Sequence, residues 1–299
     1  MLPQTLLENL ELIAKQVVEG FIIGLHKSPF HGFSVEFAEH RLYNQGDSLR
    51  HIDWRVYGKT DKMFVKRFEE ETNLRCCLVL DTSSSMHYPM EDQKLSKLQF
   101  AALASASILQ LLKRQLDAAS LAMFDEDIHY MSACRSSNSH YRMLTLELEK
   151  SLRYSPQNKR TNAAAALHQI AELMHKRSLI VVFSDMMDDL DKTEELFAAL
   201  QHLRYNKHEV ILFHVIEGKH ETSFEFENRP YEFIDLESGE KIKLQPHQVK
   251  DQYTSQMKDF QHMIESRCHQ YKIDRVPVDL TEPVDQVLYS FFMKRNKLL

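Results

Sequence analysis

Glycine is scarce in this chain of 299 residues, which contains only seven. Five of them precede residue 59, and none occurs between Gly58 and Gly218. A phosphate-cradling loop uses glycines to bring the backbone close to its ligand. The stretch 59–217 therefore cannot hold a Walker A loop or a dinucleotide fingerprint, and neither pattern occurs elsewhere. Long apolar runs are also missing. None approaches the roughly 18 to 20 residues that span a bilayer, so no transmembrane segment is expected. Glu8, Glu11 and Glu19 lie in the N-terminal helical pattern, which argues against a secretory leader. The four cysteines, Cys76, Cys77, Cys134 and Cys268, lack the spacing of a disulfide framework. That predicts reduced thiols and the cytosol. Basic charge is not in excess: the net charge is -6, which argues against a general nucleic-acid binder. The sixteen histidines are scattered, without a His-Glu-x-x-His pair, and predict no zinc site.

What is present is ordinary for a globular protein: 43% hydrophobic and 27% charged residues, in a chain long enough for one large domain or two. Leu6, Leu10, Ile13 and Val17 recur at helical steps and predict an N-terminal helix within residues 1–20. Residues 21–74 hold most of the glycines and short extended runs such as Phe33 to Phe37 and Met63 to Phe68. They predict a β-rich lead-in. From residue 75 apolar strands alternate with helices. Strands are predicted over 75–80, 119–124, 179–183, 209–215 and 274–279. Helices are predicted over 94–115, 139–152, 162–176, 191–204, 247–271 and from about 284. Residues 222–245 read as a small β excursion within this 75–299 domain. Continuous apolar strands alternating with helices indicate an α/β fold. The expected form is a doubly wound, mostly parallel sheet with helices on both faces.

The first strand of that region runs straight into Asp81-Thr82-Ser83-Ser84-Ser85. The order Asp-x-Ser-x-Ser delivers one carboxylate and two hydroxyls to a strand end. Hard cations such as Mg²⁺ prefer oxygen ligands. The same residue types also make turns and helix N-caps, because their side chains bond nearby backbone groups. Thr161 stands where it could cap the helix after it, and Asp185 could be a turn aspartate. In a 3-2-1-4-5 strand order, however, the strands ending at Asp81 and Asp185 are neighbours. Ligands of doubly wound sheets bind at such carboxyl ends.

Asp81, Ser83, Ser85, Thr161 and Asp185 resemble the metal-ion-dependent adhesion site of von Willebrand factor A domains. In that family two serines and a threonine touch Mg²⁺, and the aspartates act directly or through water. The resemblance implies a weakly bound Mg²⁺ or Mn²⁺. Two departures stand out. Lys159-Arg160 precedes the threonine where many members have glycines, and Ser184-Asp185-Met186 replaces Thr-Asp-Gly. A second resemblance rests on Gly24 to Gly32, on Glu36 to Tyr43, and on Gly46-Asp47-Ser48-Leu49-Arg50-His51-Ile52-Asp53-Trp54. With Asp235-Leu236-Glu237-Ser238-Gly239-Glu240 further on, the chain is similar to the bacterial domain of unknown function 58 family. Such proteins are associated with MoxR-type AAA+ ATPases. That implies an assembly-adaptor role in the bacterial cytoplasm. Within the lead-in, Arg41, Asp47, Arg50, Asp53 and Trp54 are expected to be structural.

An enzyme of the α/β-hydrolase type would need Gly-x-Ser-x-Gly, and no glycine lies near Ser83. A haloacid-dehalogenase-type phosphotransferase would need a second aspartate where Ser83 stands. Metal-assisted hydrolysis needs a base beside the metal, and Asp185 is the candidate. The expectation is a non-enzymatic, Mg²⁺-dependent protein-binding module. Its partner would present an Asp or Glu carboxylate, a MoxR-type ATPase or its client being the expected case. The alternative is a metal-dependent hydrolase or phosphatase using Asp81 and Asp185.

Overall fold

The computed structural model describes residues 9–19, 39–42, 54–60, 63–67, 74–90, 94–153, 161–174, 177–187 and 193–289. The chain divides into two compact units, Met1–Gly24 with Leu74–Leu299, and Leu25–Asn73. The larger unit opens with helix α1 over residues 9–19. The smaller unit contains β1 (Glu39–Leu42), α2 (Trp54–Thr60) and β2 (Phe64–Arg67). Its two strands pair antiparallel, with Glu39 opposite Arg67 and Leu42 opposite Phe64. The extended run predicted over Phe33 to Phe37, together with Asp47, Arg50 and Asp53, lies outside the described residues.

The larger unit continues with β3 (Arg75–Asp81), α3 (Lys97–Arg114), β4 (Ala118–Phe124), β5 (Ile128–Met131) and α4 (Asn138–Arg153). Then come α5 (Ala163–Leu173), β6 (Leu179–Ser184), α6 (Thr193–Tyr205) and β7 (Glu209–Ile216). The hairpin β8 (Tyr231–Ile234) and β9 (Lys241–Leu244) precedes α7 (Pro246–Gln270), β10 (Asp274–Asp279) and α8 over residues 284–289. Six strands form one sheet in the order β10-β7-β6-β3-β4-β5. All neighbours are parallel except β4 and β5. Counted along the chain, this is the doubly wound order 3-2-1-4-5-6. It makes β3 and β6 neighbours, with Leu80 beside Phe183.

The period of two residues along a strand explains the layers. In β3, Cys76, Leu78 and Leu80 face a core shared with residues of α1, α3, α4 and α8. Cys77 and Val79 face the opposite core, which contains residues of α5, α6 and α7. A strand buried on both faces reads as a near-continuous apolar run, as β6 and the interiors of β3 and β7 do apart from His214. Helix α3 starts on a capping box. The Ser96 hydroxyl accepts from the Gln99 N–H at 3.2 Å, and the Gln99 side chain accepts from the Ser96 N–H at 3.0 Å.

The hairpin β8–β9 is anchored by rings. Phe233 lies 5.7 Å from Phe224 and 5.0 Å from Phe226, and Phe224 lies 4.5 Å from Tyr253 of α7, centroid to centroid. Before the hairpin, one turn of π-helix, Gly218–Thr222, packs tightly against the end of β10. A Cβ on Gly218 would lie 2.0 Å from Asp279 Oδ2, so a larger residue there would force the Asp279 side chain to move. The four cysteines are free thiols. Among the described residues, no helix is long and apolar enough to cross a membrane.

Candidate functional site

At the carboxyl edge of β3 and β6 the five sequence-predicted residues come together. Asp81 ends β3 and is fully buried, as is Asp185 just beyond β6. The Ser83 N–H donates to Asp81 Oδ1 at 3.0 Å. The Thr161 hydroxyl donates to Asp81 Oδ2 at 3.3 Å, and the Ser184 hydroxyl donates to the same oxygen at 2.8 Å. The Ser83 and Ser85 hydroxyls lie 3.1 Å apart. The Ser85 hydroxyl also lies near the Asp185 carboxylate and helps to lower its pKa.

Local capping does not account for these side chains. Ser83 precedes the short 3₁₀ turn Ser84–His87, but its side chain makes no cap hydrogen bond. Helix α5 is capped by Asn162, whose side chain accepts from the Ala165 N–H at 3.3 Å. Thr161 is therefore released from capping and reaches Asp81 instead. Asp185 does form a turn, with Oδ1 accepting from the Met187 N–H at 3.1 Å. Its other oxygen has a different partner. Met186 adopts a φ of 55°, in the left-handed region where a glycine costs nothing. There a side chain costs about 1–2 kcal/mol. The Met186 side chain is buried in the core beneath α5 and α6.

Sequence reasoning missed Lys97. This lysine is fully buried, and its ammonium donates to Asp185 Oδ2 at 2.7 Å and to Glu221 Oε1 at 2.6 Å. The Glu217 N–H fixes the second Glu221 oxygen at 2.8 Å. Burial alone would lower the Lys97 pKa, but the charges of Asp185 and Glu221 outweigh it and hold the ammonium above the usual lysine range. Burial would likewise raise Asp185, and Lys97 reverses that and holds it below the usual carboxylate range. Lys97 is the first residue of α3, where the helix dipole disfavours a cation, and the two carboxylates offset that.

Glu237 was also missed as a site residue. It sits in the β8–β9 turn, and its Oε2 accepts from the Thr161 N–H at 3.4 Å. The nearby Ser85 hydroxyl lowers the pKa of this carboxylate, and Oε1 is buried without a hydrogen-bond partner. Burial and the nearby Asp185 and Asp81 charges push Glu237 up to about 7. Burial and the Asp185 charge push Asp81 up to about 6. His214 of β7 supports the site from behind. The Arg275 guanidinium donates to its Nδ1 at 3.0 Å, which leaves Nε2–H to donate to the Asp185 carbonyl at 2.9 Å. Burial and the Arg275 charge push His214 down to about 4, so the ring is neutral.

The oxygens gathered here, from carboxylates and hydroxyls, suit a hard cation. The partnerless Glu237 Oε1 is a spare acceptor at that place. Among the described residues, no three His, Cys, Asp or Glu side chains form a metal cage by themselves. The hydroxyls are therefore essential to any such site.

Comparison with known proteins gives a family, not an activity. Uncharacterized proteins of Mycobacterium tuberculosis and Mycobacterium bovis are 25% identical over 213 residues, 71% of this chain. The chain spans 65% of the length of those curated relatives. Among solved structures, the conserved hypothetical protein BatB of Bacteroides thetaiotaomicron is similar with a TM-score of 0.45. It is 16% identical, and the match covers 75% of this chain and 99% of that one. An aerotolerance-related membrane protein of Bacteroides fragilis matches with a TM-score of 0.47 at 16% identity, over 75% of this chain and 99% of that one. The family described as "Protein of unknown function DUF58" matches residues 39–263, and the chain belongs to it.

Proposed function

We propose that the chain is a non-enzymatic protein-binding module that works through a divalent cation at the β3–β6 edge. Asp81, Ser83, Ser85 and Thr161 would hold Mg²⁺ or Mn²⁺, with Asp185 behind them. The observation that carries this reading is the way the hydroxyls of Thr161 and Ser184 converge on one buried carboxylate that, among the described residues, has no cation of its own. The ammonium at hand, Lys97, is bonded to Asp185 and Glu221 instead. A bound cation would supply positive charge for a carboxylate ligand. The fitting partner is a protein presenting an Asp or Glu, with a MoxR-type ATPase or its client as the first to test.

The hydrolase alternative needs a base beside the cation. Asp185 is a poor one, because Lys97 holds its pKa down. Glu237 has a pKa of about 7, but the push comes from burial and from neighbouring negative charge. A divalent cation offsets that charge, and with it the basicity. Turnover of phosphate or ester substrates that is lost in Asp81→Asn would reverse this conclusion.

Thermal unfolding tests the cation directly. At ten times its dissociation constant, Mg²⁺ should stabilise the fold by about 1.4 kcal/mol. That is a rise of roughly 3 to 5 °C for a unit of this size. The Ser83→Ala, Ser85→Ala double variant should stay folded and show no rise. Identical melting curves in Mg²⁺ and in chelator would sink the cation reading.

A further inference from the structure

We propose that Glu237 is a built-in ligand of this cation, a carboxylate that the chain itself supplies from the β8–β9 turn in the position a partner's acidic side chain would take. The inference rests on the cation site proposed above and concerns how its shell is completed. The turn is built to present this side chain. Asp235 Oδ1 accepts from the Glu237 N–H at 2.9 Å, the Asp235 carbonyl accepts from the Gly239 N–H at 2.9 Å, and the Asp235 N–H donates to the Glu240 carbonyl at 2.9 Å. Gly239 closes the turn at a φ of 75°, which glycine adopts freely. With the hairpin stacked on Phe224, the turn has a fixed place over the sheet edge.

From that place the carboxylate meets the site at both of its loops. Thr161 donates its N–H to Oε2, and the Ser85 hydroxyl is near enough to the carboxylate to lower its pKa. Oε1 is buried and unpartnered, although desolvating a carboxylate oxygen without a partner is costly. Charge counting gives the reason for tolerating it. Asp185 is compensated by Lys97. Among the described residues, Asp81 and Glu237 are the two site carboxylates without an ion-pair partner, and one divalent cation matches both charge for charge. A site closed in this way takes an outside carboxylate only when Glu237 leaves, so the turn sets the order of events: Glu237 out, partner in.

Manganese titration of the full chain, followed by electron paramagnetic resonance and by water proton relaxation, tests this. Glu237→Gln keeps the shape and removes the charge, and Glu240→Gln in the same turn is the control. Expected is a loss of Mn²⁺ affinity of about tenfold in Glu237→Gln, together with higher relaxivity per bound ion as water enters the vacated position. Glu240→Gln should match the parent protein. Parent-like affinity in Glu237→Gln, alongside loss of binding in Ser83→Ala, Ser85→Ala, overturns Glu237 as a ligand and leaves the cation site standing. Weaker binding with unchanged relaxivity also overturns it, since Glu237 would then act only by distant charge. If the parent chain binds no Mn²⁺, or if binding survives the serine changes, the cation site itself is wrong and the proposal falls with it.

Discussion

With Lys97 replaced by methionine, the protein should unfold about 3–5 kcal/mol more easily at pH 7. At 2–4 °C per kcal/mol, the melting point should fall by roughly 10 °C. The physical reason is the burial of the triad. Lys97 and Asp185 are both fully inaccessible, and Glu221 is nearly so at 16% side-chain exposure. Removing the ammonium leaves two carboxylates in a dry place with no counter-charge, and each must then take up a proton or carry its desolvation cost. The sign with pH follows from the raised lysine pKa. The lysine's share of the stabilisation is fully present below about pH 10, the ordinary lysine value, and is lost as pH rises through the folded-state value. The share carried by the lowered Asp185 is present above about pH 4 and is lost as pH falls through its folded-state value. Adding Asp185→Asn and Glu221→Gln to Lys97→Met should recover most of the loss, because no buried charge is then left unpaired. A Lys97→Met protein that melts within 2 °C of the parent, by a margin of about one kcal/mol, would show that the triad contributes nothing.

Acidification gives the second large effect. Between pH 7 and pH 4, by urea unfolding, the parent protein should lose about 3 kcal/mol more than a His214→Gln variant. His214 is buried between the Asp185 carbonyl at 2.9 Å, the Arg275 guanidinium at 3.0 Å and the Phe260 ring, and has a pKa of about 4. An unfolded histidine takes up its proton near pH 6.5. The folded pKa is depressed, so the unfolded chain binds the proton first as pH falls. The stability is present above about pH 6.5 and is lost as pH falls through the folded-state value. Asp81 runs the other way in this window. Its folded pKa is raised to about 6, so its contribution is fully present below the unfolded value and is lost as pH rises through about 6. Comparing two proteins that share Asp81 removes that opposing term. Glutamine keeps a donor toward the Asp185 carbonyl and an acceptor for Arg275, but it does not titrate. Parallel pH profiles for the two proteins would rule out a buried neutral His214.

Much of the larger unit was legible without coordinates. The apolar run Leu179 to Phe183 could only be a strand covered on both faces, and it became β6 beside β3. The helix expected over 94–115 runs from Lys97 to Arg114, and its true start is set by the Ser96 capping box. These features are local. Periodicity, capping and strand apolarity act over a few residues, so a linear reading captures them. The meeting of Asp81 with Asp185 was legible one step further, because strand order alone puts β3 and β6 side by side at a shared carboxyl edge.

Which oxygens would serve the site, and which would not, was decided only by the tertiary structure. Whether Thr161 caps a helix depended on Asn162 taking that task, a choice set by one backbone conformation. Lys97 looked like one more exposed lysine on a helix, since lysines are almost never fully buried. Its partners lie 88 and 124 residues away, beyond any local pattern. Glu237 belonged to a hairpin that read as an ornament, and its carboxylate reaches the site only because aromatic stacking holds that hairpin over the sheet edge. The sequence by itself determined the strands, the helices and the layer order, because hydrophobic periodicity is written residue by residue. The charge balance of the site came from folding, because it depends on which distant groups are buried together.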